Sequence, residues 1–177
     1  METKFEFVGP RTEAMIKDFA FASVFKNKIF FIIRIVLLAI FACNVFLHFV
    51  TWDKPLLTLM NASFVLLLLY IFEFSMYRSV YKLTLKRQNE ISRNEEIIFT
   101  IEFFDEMLKH RSSLGETRID FSYSDVKYIV KSKNNYFIFT KAKQAFLLNK
   151  DQISKGEIEE FEPFIKAKIK EAKNKAK

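Results

Sequence analysis

Two long apolar runs divide the chain. Ahead of them lies a short segment in which polar and apolar residues alternate, and after them a longer tract with the same period. Residues 29–50, IFFIIRIVLLAIFACNVFLHFV, contain one full charge, Arg34; residues 56–76, LLTLMNASFVLLLLYIFEFSM, contain one, Glu73. At 1.5 Å per residue each run extends about 30 Å, the thickness of a bilayer's hydrocarbon layer. The pattern predicts a transmembrane helical hairpin over 29–76. Only Thr51 to Pro55 remain for its turn, which places Trp52 at the outer interface, where aromatic residues concentrate.

The flanks have other periods. Residues 3–8, TKFEFV, alternate like a half-buried strand and are expected to stop at Gly9-Pro10. Thr12 to Lys28 carries Met15, Ile16, Phe19, Ala20, Phe21, Val24 and Phe25, so an N-terminal strand and amphipathic helix account for residues 1–28. Residues 77–95 are charged and lack Gly and Pro, which predicts that the second span continues as a cytoplasmic helical stalk. From 96 to 177 the period shortens to two, with strands expected near 97–104, 106–111, 116–121, 126–132, 136–141 and 144–149. Turns at Ser113 to Gly115, Lys133-Asn134-Asn135 and Lys141-Ala142-Lys143 make these antiparallel. Whether the N-terminal strand joins this sheet is not legible. A final helix is expected to open on Ser154-Lys155-Gly156-Glu157, a capping-box spacing, with Ile158, Phe161, Phe164, Ile165 and Ile169 on one face and a kink or restart at Pro163. The fold class is therefore an α+β membrane protein: a two-helix hairpin plus a cytoplasmic antiparallel β-domain with a C-terminal helix.

Charge sets the orientation. The chain has a net charge of +7; Lys17, Lys26 and Lys28 precede the first run, and Arg78, Lys82, Lys86, Arg87 and Arg93 follow the second. The connector has only Lys54. Basic loops stay in the cytoplasm, so a multi-pass protein of the inner (cytoplasmic) membrane with both termini inside is expected.

Depth pairs the polar residues of the hairpin. Arg34 lies 19 residues before Asp53 and Glu73 lies 20 after it, so the two are expected to meet near the cytoplasmic interface as an intramembrane pair. Asn44 and Asn61, 9 before and 8 after, are expected to share amide hydrogen bonds between the helices. In the last helix, Lys166, Lys168, Lys170 and Lys173 follow Glu157, Glu159, Glu160 and Glu162. Acid first and base last suits the dipole of an ordinary solvated helix; the lysines also suit attraction to anionic lipid heads.

Catalytic and cofactor patterns are sparse. His48 and His110 are the only histidines and Cys43 the only cysteine, so one chain holds too few for a multi-histidine or cysteine-based metal site. Three glycines, Gly9, Gly115 and Gly156, cannot build a phosphate-cradling loop. Aromatic residues fall at core periods rather than on an exposed basic face, which argues against nucleic acid. The expectation is no enzyme and no cofactor.

The order of segments resembles the YcxB-like family of small bacterial membrane proteins. The resemblance rests on Phe5-Glu6-Phe7, on Ile119-Asp120-Phe121-Ser122-Tyr123-Ser124-Asp125-Val126, on Asn135-Tyr136-Phe137-Ile138-Phe139 and on Phe146-Leu147-Leu148-Asn149-Lys150; the last has Asn149 where the family often has proline. It implies a β-domain of pleckstrin-homology-like type. The function expected is a non-enzymatic, membrane-anchored binding or regulatory protein whose β-domain contacts a protein or lipid partner at the inner leaflet. The alternative is an immunity protein against a membrane-active or secreted toxin.

Overall fold

Phe5 and Phe7 point to the same side of a strand, and the burial of both shows that the strand has found a sheet. The computed structural model describes residues 2–26, 28–51, 55–92 and 96–175. In order along the chain come β1 (Phe5–Pro10), α1 (Glu13–Phe25), α2 (Lys28–Thr51), α3 (Pro55–Ser92), β2 (Ile98–Phe103), β3 (Met107–Ser112), β4 (Gly115–Ser122), β5 (Val126–Lys131), β6 (Asn135–Thr140), β7 (Ala145–Asn149), β8 (Ile153–Lys155) and α4 (Ile158–Lys175). Two compact units result, one of residues 1–19 with 84–177 and one of residues 20–83.

The first unit has two antiparallel sheets, ordered β4-β3-β2-β1-β8 and β5-β6-β7. The N-terminal strand thus lies inside the larger sheet, between β2 and β8. In register, Phe5 faces Phe103 and Phe7 faces Ile101. The strand runs through Gly9 and Pro10 rather than stopping before them. β8 pairs only with Glu6 and Phe7, so the side of β1 where Pro10 lacks an N–H has no strand to bond; the Gln152 side chain covers it instead, donating to the Pro10 carbonyl at 2.8 Å.

Between the sheets Phe161 of α4 is fully buried, with ring centres of Phe7 and Phe103 each 4.9 Å away, Tyr136 at 5.2 Å and Phe5 at 5.5 Å. Ile165 and Ile169 continue the same helical face into the core. β6 is apolar without alternation because both of its faces are covered. Tyr136 and Ile138 enter the common core, while Phe137, on the other face, meets Phe19 of α1 at 5.7 Å. Asp18 fixes that helix by accepting from the Ser132 hydroxyl at 2.8 Å and the Asn135 amide at 2.6 Å.

The capping box is not used. Ser154 belongs to β8, where its hydroxyl lies 2.8 Å from the Glu6 carboxylate and 3.3 Å from the Glu6 carbonyl, and the helix begins at Ile158. Pro163 sits inside α4 without ending it.

In the second unit, α2 and most of α3 are long and apolar enough to cross a membrane: the qualifying segments are Lys28–Leu47, mean hydropathy 2.7, and Ser63–Ser92, mean hydropathy 1.4. The second apolar run and its charged continuation form one unbroken helix of 38 residues. The turn from Trp52 to Lys54, including the expected interfacial place of Trp52, lies outside the described residues, as do residues 93–95 at the end of the expected stalk.

Candidate functional site

The helical unit brings Arg34 and Glu73 together as an ion pair, the guanidinium Nε donating to the carboxylate. A second guanidinium nitrogen, Nη1, donates at 3.2 Å to the carbonyl of Phe25, the last residue of α1. Helix ends leave carbonyls unpaired, so Arg34 caps one helix while pairing with another. The amides do not follow. Asn44 and Asn61 are both exposed, and among the described residues no hydrogen bond joins them. Equal depth sets the height of a side chain, not its direction around the helix.

The lysines of α4 are largely committed within the β-domain. Lys166 contacts Glu162 at 2.6 Å, Lys168 contacts Asp105 at 3.1 Å, and Lys173 donates to the Lys127 carbonyl at 3.0 Å. Glu162 also takes Lys131 at 2.7 Å, and the bonds from Lys131 and Lys166 hold its carboxyl below the usual range. Lys170 is exposed and makes no ion pair among the described residues. The four do not form one free basic face.

A different basic site lies in the β-domain. On the inner face of the larger sheet the row Phe103-Leu108-Phe121 is covered by the core, whereas the neighbouring row Ile101-His110-Ile119 runs out towards an open end. There a cleft of about 420 Å³ opens, bounded by Arg11 and Phe19, by Arg87, Gln88 and Ile91 near the end of α3, and by the β6–β7 turn with Lys143. Its floor is aromatic. Arg11 lies over the Phe99 ring at 4.0 Å; Phe99 stacks on His110 at 5.6 Å; His110 meets Phe146 at 5.5 Å; and Phe146 meets Phe121 edge-on at 4.8 Å.

Electrostatically the cleft is one-sided. Among the described residues Arg11, Arg87 and Lys143 form no ion pair and no Asp or Glu lines the cleft. Burial lowers the pKa of Arg11, and burial together with the Arg11 charge lowers that of His110 to about 4. His110 is therefore neutral at pH 7, and its Nε2 is buried with no partner. Gln88 joins the two chain segments beside the cleft by donating to the Arg11 carbonyl at 2.7 Å, leaving its own Oε1 buried and unpaired. Such a site attracts and orients an anion. It brings no nucleophile–base pair beside His110, and no cluster of metal-ligating side chains occurs among the described residues.

Sequence reasoning placed none of this. Arg87 figured only as a basic flank, Lys143 as a turn residue and His110 as an isolated histidine. With Arg11 these make four groups far apart along the chain, and no spacing rule connects them.

No curated protein and no solved structure matches the chain. Residues 110–165, from β3 into α4, match the family model described as YcxB-like protein.

Proposed function

We propose that this is a non-enzymatic binding protein of the cytoplasmic membrane, anchored by the hairpin of α2 and α3, with both termini and the β-domain on the cytoplasmic side. The observation that carries the reading is the placement of the apolar helices in the connection between β1 and β2. These strands are neighbours in one sheet, so the chain must return to the side it left. Two spans do that and one does not. The basic flanks of the runs then select the cytoplasm as that side.

The strand order supports a pleckstrin-homology-like reading of the β-domain. A four-strand meander, β1 to β4, is followed by a three-strand meander, β5 to β7, and a C-terminal helix seals the space between them. The open cleft with cationic walls and no catalytic pair supports recognition rather than turnover.

Reporter fusions before Met1 and after Lys177 are expected to register as cytoplasmic, and one inserted at Asp53 as external. An external signal from the C-terminal fusion overturns the anchoring scheme. Photo-crosslinking residues installed at Ile119, in the cleft, and at Lys170, on the outer face of α4, test the binding reading in intact cells. A discrete adduct at Ile119 alone is expected. Equal labelling at both positions, or none at either, counts against a binding role for the cleft.

A further inference from the structure

We infer that the cleft between the two sheets receives the anionic head of an amphiphile, a phosphate or carboxylate held by Arg11, Arg87 and Lys143, with its apolar body along the neighbouring ring and isoleucine surfaces. The inference rests on the binding-module reading and adds the class of ligand.

Three observations converge. The first is unbalanced charge. Several cations elsewhere in the β-domain have acidic partners at contact distance, as in Arg111 with Glu102 at 3.0 Å, Lys131 with Glu162 at 2.7 Å and Lys168 with Asp105 at 3.1 Å. The cleft gathers three that, among the described residues, have no acidic partner, beside a wall without a carboxylate. An anion entering it meets charge-assisted donors and repels no acid.

The second is apolar surface where water has access. Ile91 is 56% exposed and Ile119 is 40% exposed, and both line the cleft beside Phe121 and Phe139. A bare inorganic anion gains nothing from that surface. A ligand with a hydrocarbon body covers it, at about 25 cal/mol per Å² of apolar area removed from water.

The third is that two of the buried side-chain polar atoms without a hydrogen-bond partner among the described residues, His110 Nε2 and Gln88 Oε1, lie here. Buried polar groups in folded proteins are nearly always bonded, and both of these belong to residues that line the cleft. A protonated or hydroxyl-bearing head satisfies Gln88 Oε1, and the Nε2–H tautomer of His110 donates to an anionic oxygen.

The test uses the full chain in neutral-detergent micelles with dodecyl phosphate as probe, read by calorimetry and by the imidazole resonances of His110. Saturable binding is expected, with the His110 pKa rising as the adjacent anion stabilises imidazolium. Combining Arg87→Gln with Lys143→Gln, both at exposed positions, is expected to weaken binding about tenfold or more. Arg11→Gln is expected to do the same, and the exposed double variant keeps the test valid if loss of Arg11 from the Phe99 ring disturbs folding. Inorganic phosphate that binds as tightly as dodecyl phosphate overturns the amphiphile. So does binding that is unchanged in both variants, because the probe is then held by the micelle rather than by the cleft.

Nanodiscs of phosphatidylcholine with and without phosphatidylglycerol distinguish the sources. A His110 shift caused by phosphatidylglycerol alone assigns the head to a bilayer lipid; a shift only on adding dodecyl phosphate assigns a soluble amphiphile; no shift in either overturns the inference. A crosslinked protein partner at Ile119 without any response to dodecyl phosphate leaves the binding role standing and removes this ligand.

Discussion

Among the described residues, replacing Glu73 with leucine removes the only acid paired with Arg34 and leaves the guanidinium with a single hydrogen bond, to the Phe25 carbonyl. The Arg34 side chain is 21% exposed and that of Glu73 13%, so neither is freely solvated within the protein itself. Breaking a buried pair costs about 3 to 5 kcal/mol because the remaining charge is uncompensated. Both residues lie near the ends of their apolar runs, where a long side chain reaches the headgroup layer, and that lowers the expected cost of Glu73→Leu to about 2 kcal/mol. Arg34→Leu strands the carboxylate and also frees the helix-end carbonyl of Phe25, which adds about 1 kcal/mol. Arg34→Leu combined with Glu73→Leu leaves no charge, so its cost falls short of the sum of the single changes, with a coupling of about 2 kcal/mol. Reversible unfolding in mixed micelles, followed by far-UV circular dichroism, supplies the four stabilities. The charge swap, Arg34→Glu with Glu73→Arg, is expected to recover most of the coupling but not the Phe25 contact. Single changes that add without interaction refute the pairing, and a swap as damaging as both single changes together refutes the geometry.

Three further outcomes are expected. His110 titrates near 4 in the folded domain instead of 6.5, so its contribution to stability is complete above about pH 6.5 and is lost as pH falls towards 4. Partial exposure of the imidazole tempers the loss to about 1 to 2 kcal/mol, and His110→Leu is expected to flatten that part of the pH–stability curve; an unchanged slope removes His110 as its source. Gly156 has φ +87°, and a Cβ there would fall 2.8 Å from the Lys4 carbonyl oxygen and closer still to the Phe5 ring, so Gly156→Ala is expected to cost at least about 2 kcal/mol in chemical denaturation. Tyr123 donates to the Phe104 carbonyl at 2.6 Å from a buried position, so Tyr123→Phe is expected to lower stability by about 1 to 2 kcal/mol, and a neutral result means that water replaces the hydroxyl.

Strand positions were legible wherever one face is buried and the other wet, because the side-chain period then appears directly in the residues. Ile98 to Phe103 and Met107 to Ser112 lie within a residue or two of the expected bounds. β6 was legible for the opposite reason, an uninterrupted apolar run closed by asparagine and threonine. The three-residue strand β8 was not. Its register comes from pairing with β1, more than a hundred residues away in the chain, and Ser154 satisfies a local helix-start pattern while its hydroxyl bonds to Glu6. Gly9-Pro10 misled in the same manner: the local signal says stop, but the missing N–H has no cost on a strand side that faces only the Gln152 side chain.

The two clusters of polar side chains differ in how they could be found, and the difference is topological. A hairpin maps chain position onto depth, so residues equidistant from its turn share a height; Arg34 and Glu73 meet because they also face each other, whereas Asn44 and Asn61 are exposed and, among the described residues, share no hydrogen bond. The cleft obeys no such map. Arg11 precedes the inserted helices and Arg87 lies near the end of the second, yet Gly9 pairs with Phe99 across β1 and β2, and Gln88 bonds to the Arg11 carbonyl. One insertion therefore separates these two arginines in sequence while the sheet returns their segments to one place. His110 reaches the same place through β3, and Lys143 through the turn between β6 and β7. Each residue alone reads as an ordinary surface or strand position. Their shared property, positive or neutral groups without an acid among them, exists only after four separate stretches of chain have been folded together.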